Sequence, residues 1–181
     1  MQNINVIVAM CKNKGIGFNN KLPWGYISKD LLNFKKLTIG KGNNAIIMGK
    51  NTLLSLPNGP LKSRTNLILS KTINDDEIIE WKKKYFDKNI EFFNNLNKLD
   101  DYLKNNIFDD IWIIGGEQIY NLYVRSKIVK KIYITYIDHE YKCDTFFPDI
   151  KFHNFISKTL SYNTIDENNN SINVYDIIYE L

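Results

Sequence analysis

Short runs of apolar residues recur along the chain, and each is about long enough for one strand. Five of them predict strands, at residues 5–10, 45–48, 66–69, 111–114 and 131–137. Their near-continuous apolar character is typical of strands that are covered on both faces of a sheet. These runs therefore predict a central sheet packed between other elements.

The segments between these strands predict helices, at residues 29–38, 51–54, 96–104 and 117–123. Because strands and helices alternate, we expect an α/β fold with a mainly parallel sheet. Near the end, residues 155–162 and 172–179 flank the turn-rich sequence DENNNS, which predicts an antiparallel hairpin added to the sheet. The charged stretch 75–89 predicts a surface helix or an insertion.

Length and composition favour one compact domain over residues 1–181, because 44% of the 181 residues are hydrophobic and 13% are aromatic. No apolar run approaches the roughly 20 residues that cross a bilayer, and no basic leader precedes INVIVAM. We therefore expect a cytoplasmic protein that does not bind membranes. The two cysteines are far apart and outside any CxxC pair, which argues against a disulfide framework or a zinc site.

The formal charge of +4 comes from scattered lysines. The basic residues are not interleaved with aromatic residues in a nucleic-acid-binding motif, so we expect no nucleic-acid partner. A mild positive field would still attract a small polyanion, such as a phosphorylated cofactor.

Asp30 is the first candidate for chemistry, because apolar residues surround this acid in the sequence. One interpretation places it in the first turn of a helix, where its charge suits the helix dipole and Ser28 is the N-cap. The other interpretation gives it a ligand, since a buried carboxylate needs a cation or several donors. Ile27, Leu31 and Phe34 flank Asp30 and place it beside the core-facing stripe, which favours the ligand.

Two junctions between a strand and a helix carry glycine, at MGKNT (48–52) and IIGGEQIY (113–120). Free backbone N–H groups at such helix starts bind anions, so a dinucleotide with its pyrophosphate fits both, although either could be only a tight turn. MGKNT is not an ATP or GTP loop, because Asn51 stands where Ser or Thr should follow Lys50. GIG at 15–17 is too short for a Rossmann fingerprint and predicts a flexible lid.

Taken together, these motifs resemble the dihydrofolate reductase family. The resemblance rests on the blocks GIG...LPW...D...F..T (15–38), AIIMGKNT (45–52), PLKSRTNLILSK (60–71), IWIIGGEQIY (111–120), IYITYID (132–138) and DTFFP (144–148). It implies an eight-stranded, mainly parallel sheet with an antiparallel C-terminal strand and helices on both faces. The implied activity is NADPH-dependent reduction of 7,8-dihydrofolate to 5,6,7,8-tetrahydrofolate, for one-carbon metabolism and thymidylate synthesis.

The resemblance also implies a site. Asp30 would bind the pterin and handle its proton, and Arg64 would bind the substrate's α-carboxylate. The implied catalytic residues are Leu22, Trp24, Asp30 and Thr135. The implied substrate-binding residues are Val8, Ala9, Asp30, Leu31, Phe34, Leu56, Leu61, Arg64, Ile114 and Thr135.

The cofactor implied is NADPH, with Lys50, Ser70 and Lys71 favouring its 2′-phosphate. The implied cofactor-binding residues are Ala9, Ile16, Gly17, Gly49, Lys50, Asn51, Thr52, Ser70, Lys71, Ile114, Gly115, Gly116, Glu117, Gln118, Ile119 and Tyr120. The Gly115–Gly116 bond is cis in the family. No metal is implied, and the adenine contacts around 93–95 are left open.

Dihydrofolate and antifolate inhibitors are the implied partners, and the protein is expected to be a monomer unless it is fused to, or associated with, thymidylate synthase. One alternative is the related NADPH-dependent reductase of the riboflavin pathway, which does not predict LPW together with Asp30, Arg64 and DTFFP. Another is an inactive relative that only binds NADPH or folate. Intact Asp30, Arg64 and Thr135 argue against it.

Overall fold

A computed structural model describes residues 2–151 and 153–181, which form ten strands and five helices. The elements in chain order are β1 Asn3–Cys11, β2 Gly15–Gly17, α1 Ser28–Ile39, β3 Ala45–Gly49, α2 Lys50–Ser55, β4 Thr65–Leu69, α3 Asp75–Lys84, β5 Ile90–Phe93, α4 Leu96–Asn105, β6 Asp110–Gly115, α5 Glu117–Val124, β7 Val129–Ile137, β8 Thr145–Phe146, β9 Asn154–Ile165 and β10 Ser171–Glu180.

Eight of the strands form one sheet in the order β5-β4-β3-β6-β1-β7-β10-β9. The pairs from β5 to β7 are all parallel, whereas β10 is antiparallel to both β7 and β9. The predicted fold class, a mainly parallel eight-stranded sheet with an antiparallel strand at the C-terminus, is confirmed.

Helices cover both faces of this sheet because successive strand residues point to opposite sides. On one face, α4 and α5 pack on a cluster that includes Val6, Ile47 and Ile113. On the other face, residues of α1, α2 and α3 pack on a cluster that includes Ile7 and Ile46. Strand residues one position apart thus enter different halves of the core, which explains why both kinds of position are apolar.

The five predicted strands, the four predicted helices and the C-terminal hairpin are all present, most of them one or two residues longer than predicted. The charged stretch 75–89 contains the surface helix α3, in which no residue is fully buried. Strand β5 was not predicted, since its four residues follow directly on that charged stretch.

The GIG segment, predicted as a flexible lid, forms β2 and pairs with β8 in a small second sheet, and its role as a lid stays a prediction. One local expectation was wrong. Ser28 is not the N-cap of α1, because Ile27 has the extended cap conformation and no side chain caps the helix. Ser28 is the first helical residue and Asp30 lies in the first turn, as the charge argument requires.

The strand order reverses between β3 and β6. The chain leaves β3 through α2 toward β4 on one side, and leaves β6 through α5 toward β7 on the other. Crevices at such switch points, outside the carboxyl ends of the strands, are where open α/β sheets bind ligands. In the described residues no helix is both long and apolar enough to span a membrane.

Candidate active site

Asp30 of α1 and Thr135 of β7 are polar residues on the face of the sheet that α1 covers. Asp30 is 8% exposed, and the hydroxyl of Thr135 donates a hydrogen bond to its carboxylate. Thr135 lies near the end of β7 and pairs with Ala9 on β1, so both residues lie at the carboxyl edge of the sheet. The helix and the sheet together place this carboxylate at the ligand-binding edge.

Burial raises the pKa of the Asp30 carboxyl above its ordinary value. The hydrogen bond from Thr135 opposes this rise, and the nearby negative charge of Asp176 adds to it. The Asp30 carboxyl is therefore a weaker acid than an exposed aspartate.

An apolar wall adjoins Asp30. Phe34, Leu56 and Leu61 are half-buried and pack against the cluster that contains Ile7 and Ile114. Leu31 is half-buried, one residue after Asp30. Four of the predicted pterin and aminobenzoyl contacts therefore pack in one cluster, whereas Ala9 packs against the cluster that contains Trp24.

Two predicted residues lie differently. The side chain of Val8 is buried on the opposite face, in the cluster beneath α5, so it does not point toward Asp30. Leu22 is 40% exposed and lies in the loop before α1. Their predicted roles are not supported by side-chain contacts with Asp30.

Trp24 is fully buried in a third cluster with Cys11, Ile27 and Ile137. Its indole Nε1 has no hydrogen-bond partner in the part of the chain that the structure describes. Because buried polar atoms are nearly always satisfied, this donor points to a water or a ligand beside α1.

Arg64 is a buried cation that forms no salt bridge with any described residue. It is 6% exposed; its Nε donates to the carbonyl of Lys62 at 2.9 Å, and one terminal nitrogen donates to Thr38 Oγ1 at 2.8 Å. The hydroxyl of Thr38 donates in turn to the carbonyl of Phe34 at 2.7 Å. Burial lowers the pKa of Arg64, as expected for a cation that lacks an anion.

The two glycine junctions meet at the switch point between β3 and β6. A Cβ atom on Gly49 would lie 3.8 Å from the backbone nitrogen of Gly116 and 3.4 Å from Ile119 Cγ1. A Cβ atom on Gly116 would lie 3.3 Å from Thr52 Oγ1. The starts of α2 and α5 therefore approach each other so closely that larger residues would fill the space between them.

Gly115 has φ +119°, and a Cβ atom there would lie 3.1 Å from the ring of Tyr120. Both observations require glycine at this position. The Gly115–Gly116 peptide bond is cis, as the resemblance implies. The hydroxyl of Tyr120 donates to the carbonyl of Ile7 at 2.8 Å, which ties α5 to β1.

Lys50, the predicted phosphate contact, already has an anionic partner. Its Nζ lies 2.7 Å from Glu77 Oε1 of α3 and 5.6 Å from the centre of the Trp81 ring. The hydrogen bond from Lys50 lowers the pKa of the Glu77 carboxyl. Helix α3 is thus tied to the start of α2 by an ion pair.

The remaining predicted cofactor residues lie around the carboxyl ends of the strands. Ile16 and Gly17 lie in β2, and Ser70 follows β4 directly and donates its backbone N–H to the carbonyl of Phe93. Asn51, Lys71 and Gln118 are exposed, and Glu117 is half-buried in the first turn of α5.

Sequence reasoning missed three residues of this region. The carbonyl of Ile7 accepts the hydrogen bond from Tyr120, Thr38 orients Arg64, and Asp176 lies opposite Thr135 on β10. Thr38 was visible as the end of the α1 pattern, but nothing in the sequence pairs it with Arg64. Strand register, which the sequence does not reveal, places Asp176.

A buried acid at the carboxyl edge of a parallel sheet, beside two glycine-bearing helix starts at its switch point, is typical of an α/β enzyme. The family model described as dihydrofolate reductase matches residues 3–180. This chain belongs to the dihydrofolate reductase family and is an oxidoreductase.

Individual relatives agree with this membership. The chain is 35% identical over 163 residues to dihydrofolate reductase of Gallus gallus, covering 86% of this chain and 82% of the relative. It is 34% identical over 157 residues to the Drosophila melanogaster protein of that name, covering 83% and 81%. It is 32% identical over 155 residues to a bifunctional dihydrofolate reductase-thymidylate synthase of Acanthamoeba polyphaga mimivirus, covering 80% of this chain and 26% of that protein.

Proposed function

We propose that this protein reduces 7,8-dihydrofolate to 5,6,7,8-tetrahydrofolate with NADPH, in support of one-carbon metabolism and thymidylate synthesis. The observation that carries the proposal is the buried Asp30, which Thr135 orients beside an apolar wall at the edge of the sheet. The proposal includes a monomer in the cytoplasm that also binds antifolates.

The substrate's amino-pyrimidine edge presents paired N–H donors, which match the two oxygens of a carboxylate. Asp30 offers such a carboxylate, and because it is a weaker acid than an exposed aspartate, it would exchange a proton with a water near N5 of the pterin. Phe34 and Leu31 would enclose the rings and exclude water. Asp30 thereby positions the substrate and supplies its proton through water.

Arg64 would bind the other end of the substrate. A planar guanidinium binds a carboxylate through two parallel hydrogen bonds, and a substrate carboxylate would supply the anion that Arg64 lacks among its described neighbours. Thr38 and the carbonyl of Lys62 hold the guanidinium in place, so little further ordering is needed on binding.

The crevice between α2 and α5 fits a dinucleotide. Gly49 and Gly116 lack the side chains that would fill the space between the two helix starts, and the free N–H groups of the first turn of α5 would bind a pyrophosphate there. Lys50, Ser70 and Lys71 would bind the 2′-phosphate, which favours NADPH over NADH. When bound, NADPH supplies the hydride for the reduction.

A riboflavin-pathway reductase remains the rival enzyme, and an inactive binding protein is the rival from another class. Asp30 together with Arg64 favours dihydrofolate reduction over the riboflavin-pathway reaction, because the two residues match the two ends of dihydrofolate.

The test is the loss of NADPH absorbance when purified protein and dihydrofolate are mixed. We expect turnover in the native protein, and in Asp30→Asn a hydride-transfer rate lowered by about 10² to 10⁴-fold with nearly unchanged NADPH affinity. Asp109→Asn, at an exposed site on the approach to β6, is the matched control and should retain full activity.

A folded protein that binds NADPH but does not oxidise it with dihydrofolate would leave only the binding function. Equal losses of rate and cofactor affinity in Asp30→Asn would instead indicate damage to the fold.

A further inference from the structure

Two thiols meet beside the small second sheet. Cys11 is the last residue of β1, and Cys143 lies just before β8. They are 132 positions apart in the sequence, yet their Sγ atoms are 3.7 Å apart and both are free thiols. Their distance along the chain argued against a disulfide, but the fold places them in contact.

Gly15, the first residue of β2, leaves the space that the two sulfurs occupy. A Cβ atom on Gly15 would overlap Cys143 Sγ and would lie 3.0 Å from Cys11 Sγ. Because glycine has no side chain, nothing from residue 15 separates the two thiols. The backbone of β2 therefore lies directly beside the cysteine pair.

The two thiols differ in their access to solvent. Cys11 is fully buried in the cluster that contains Trp24, whereas Cys143 is half-buried and packs against the same cluster. A small reagent can therefore reach Cys143 first. Burial raises the pKa of the Cys143 thiol, and its hydrogen bond with Cys11 adds to this rise, so the pair rests in the thiol form.

The backbone segments that carry the thiols already run side by side. The N–H of Asp144 donates to the carbonyl of Gly17 at 3.0 Å, and the N–H of Phe147 donates to the carbonyl of Lys14 at 2.8 Å. A disulfide requires sulfurs about 2.05 Å apart. Rotation of the two side chains, with small shifts in the loop before β8, would bring the sulfurs from contact to bonding distance.

We propose that Cys11 and Cys143 are a redox-active dithiol that closes to an intramolecular disulfide and ties β8 covalently to β1. The oxidant is a low-molecular-weight disulfide such as oxidised glutathione. This modification site is independent of the proposed reduction of dihydrofolate.

The oxidation proceeds through two exchange steps. Cys143 loses its proton to solvent, and its thiolate attacks one sulfur of oxidised glutathione, which forms a mixed disulfide and releases one glutathione thiolate. Cys11 then loses its proton, and its sulfur attacks Cys143 Sγ, so the protein disulfide forms and the second glutathione leaves. The two glutathione thiolates take up the two protons, and the protein loses the two electrons that the small disulfide gains.

Closing the disulfide would restrain β2. This strand follows β1 after a short turn and pairs with β8, so it lies between the two segments that the bond joins. A reducing compartment, such as the proposed cytoplasm, keeps the pair as thiols, and an oxidising shift closes it. The redox state of the pair would thus set how freely β2 separates from β8.

The first measurement is mass spectrometry of the whole protein after equilibration with oxidised and reduced glutathione. We expect the native chain to lose two hydrogen atoms without retaining glutathione, and peptide mapping under non-reducing conditions to join Cys11 to Cys143. Reduction by dithiothreitol should restore the original mass.

Single replacements are the matched controls. Cys11→Ala leaves the accessible thiol without its partner, so we expect glutathione to remain attached to Cys143. Cys143→Ser leaves only the buried thiol, and we expect it to stay unmodified. The half-buried position of residue 143 makes this second variant compatible with folding.

Three results would overturn the proposal. These are a native chain that keeps both thiols in excess oxidised glutathione, a stable glutathione adduct on Cys143 of the native chain, and a disulfide between two chains.

Amide hydrogen exchange tests the restraint on β2. We expect the amides of Asp144 and Phe147, which donate to the β2 segment, to exchange several-fold more slowly in the oxidised native protein than in the reduced one. The amide of Gly59, in the turn after α2, should exchange at the same rate in both states. Equal exchange of Asp144 and Phe147 in both states would show that the disulfide does not restrain β2.

A consequence for the cofactor rests on the proposed function, because Ile16 and Gly17 of β2 belong to the proposed NADPH site. We expect stopped-flow fluorescence to show slower NADPH dissociation from the oxidised native protein, and no redox effect in Cys143→Ser. Equal rates in the two states of the native protein would contradict this consequence. A protein that does not bind NADPH in either state would contradict the proposed function and leave the disulfide result standing.

Discussion

At the scale of single residues, two buried charges define the site. Asp30 and Arg64 are both less than 10% exposed, and neither has a salt-bridge partner among the described residues. Buried charges are ordinarily paired, because an unpaired one loses its hydration without compensation. A ligand with a donor edge at one end and a carboxylate at the other would satisfy both residues.

Replacing Arg64 should affect binding and not chemistry. We expect Arg64→Leu to raise the KM for dihydrofolate by about 30-fold or more, because a charge pair of this kind contributes about 2–5 kcal/mol, while kcat stays nearly unchanged. The measurement is steady-state kinetics at saturating NADPH.

Arg125→Leu is the matched control, since this arginine is exposed at the C-terminus of α5, and its KM should equal that of the native protein. An unchanged KM in Arg64→Leu would remove Arg64 from the substrate site.

At the scale of elements, the surface helix α3 contacts the start of α2, where the proposed cofactor site lies. Asn74 caps this helix through a capping box with Glu77, and the same glutamate binds Lys50 at the start of α2. The charged composition of residues 75–89 identified a surface helix, but only packing places Glu77 against Lys50. Glu77 therefore competes with any phosphate for that ammonium.

Removing the charge of Glu77 should strengthen NADPH binding. We expect Glu77→Gln to tighten NADPH a few-fold, since a partly exposed ion pair is weak in water, and to leave NADH affinity unchanged. Glutamine keeps the oxygen that accepts from the backbone N–H of Asn74, so the helix start should survive.

Titration by fluorescence with both cofactors makes this comparison. Glu80→Gln changes the same charge on the same helix without contacting Lys50 and serves as the control. Weaker or unchanged NADPH binding in Glu77→Gln would show that Lys50 does not meet the 2′-phosphate.

At the scale of the whole molecule, one sheet carries both ends of the site. The proposed substrate side depends on α1, β1 and β7, and the proposed cofactor side on the junctions after β3 and β6. Both core clusters run across the central strands, so neither half of the site has a core of its own. We therefore expect the chain to fold and unfold as a unit.

Urea unfolding should show one transition, with far-ultraviolet circular dichroism and tryptophan fluorescence changing together. The three tryptophans report on different regions, because Trp24 lies in the third cluster, Trp112 in the α1-face cluster and Trp81 on α3. NADPH at 100 times its dissociation constant should raise the free energy of unfolding by about 2.7 kcal/mol. Two separated transitions would contradict the single-domain organisation.

Much of the fold could be predicted from the order of apolar runs, because a buried strand must be apolar and its period is visible locally. Strands β2, β5 and β8 were not predicted, because such short strands show no clear apolar period in the local sequence. They are short, and their pairing depends on partners distant in the sequence, such as Gly15 with Phe146. Ser28 was wrong as the N-cap, because the chain before α1 is held by the packing of Ile27 in the core and not by a capping side chain.

The local sequence pattern by itself indicated the α/β class, the glycine junctions at Gly49 and Gly116, and the candidacy of Asp30 among apolar neighbours. Arg64 became a candidate only through the resemblance to the family. Only the tertiary structure decided which side chains meet. Strand register places Asp176 opposite Thr135, and helix packing brings Glu77 to Lys50 and Thr38 to Arg64. Such contacts join residues 26 or more positions apart, and local sequence does not encode which of many compatible partners a folded chain brings together.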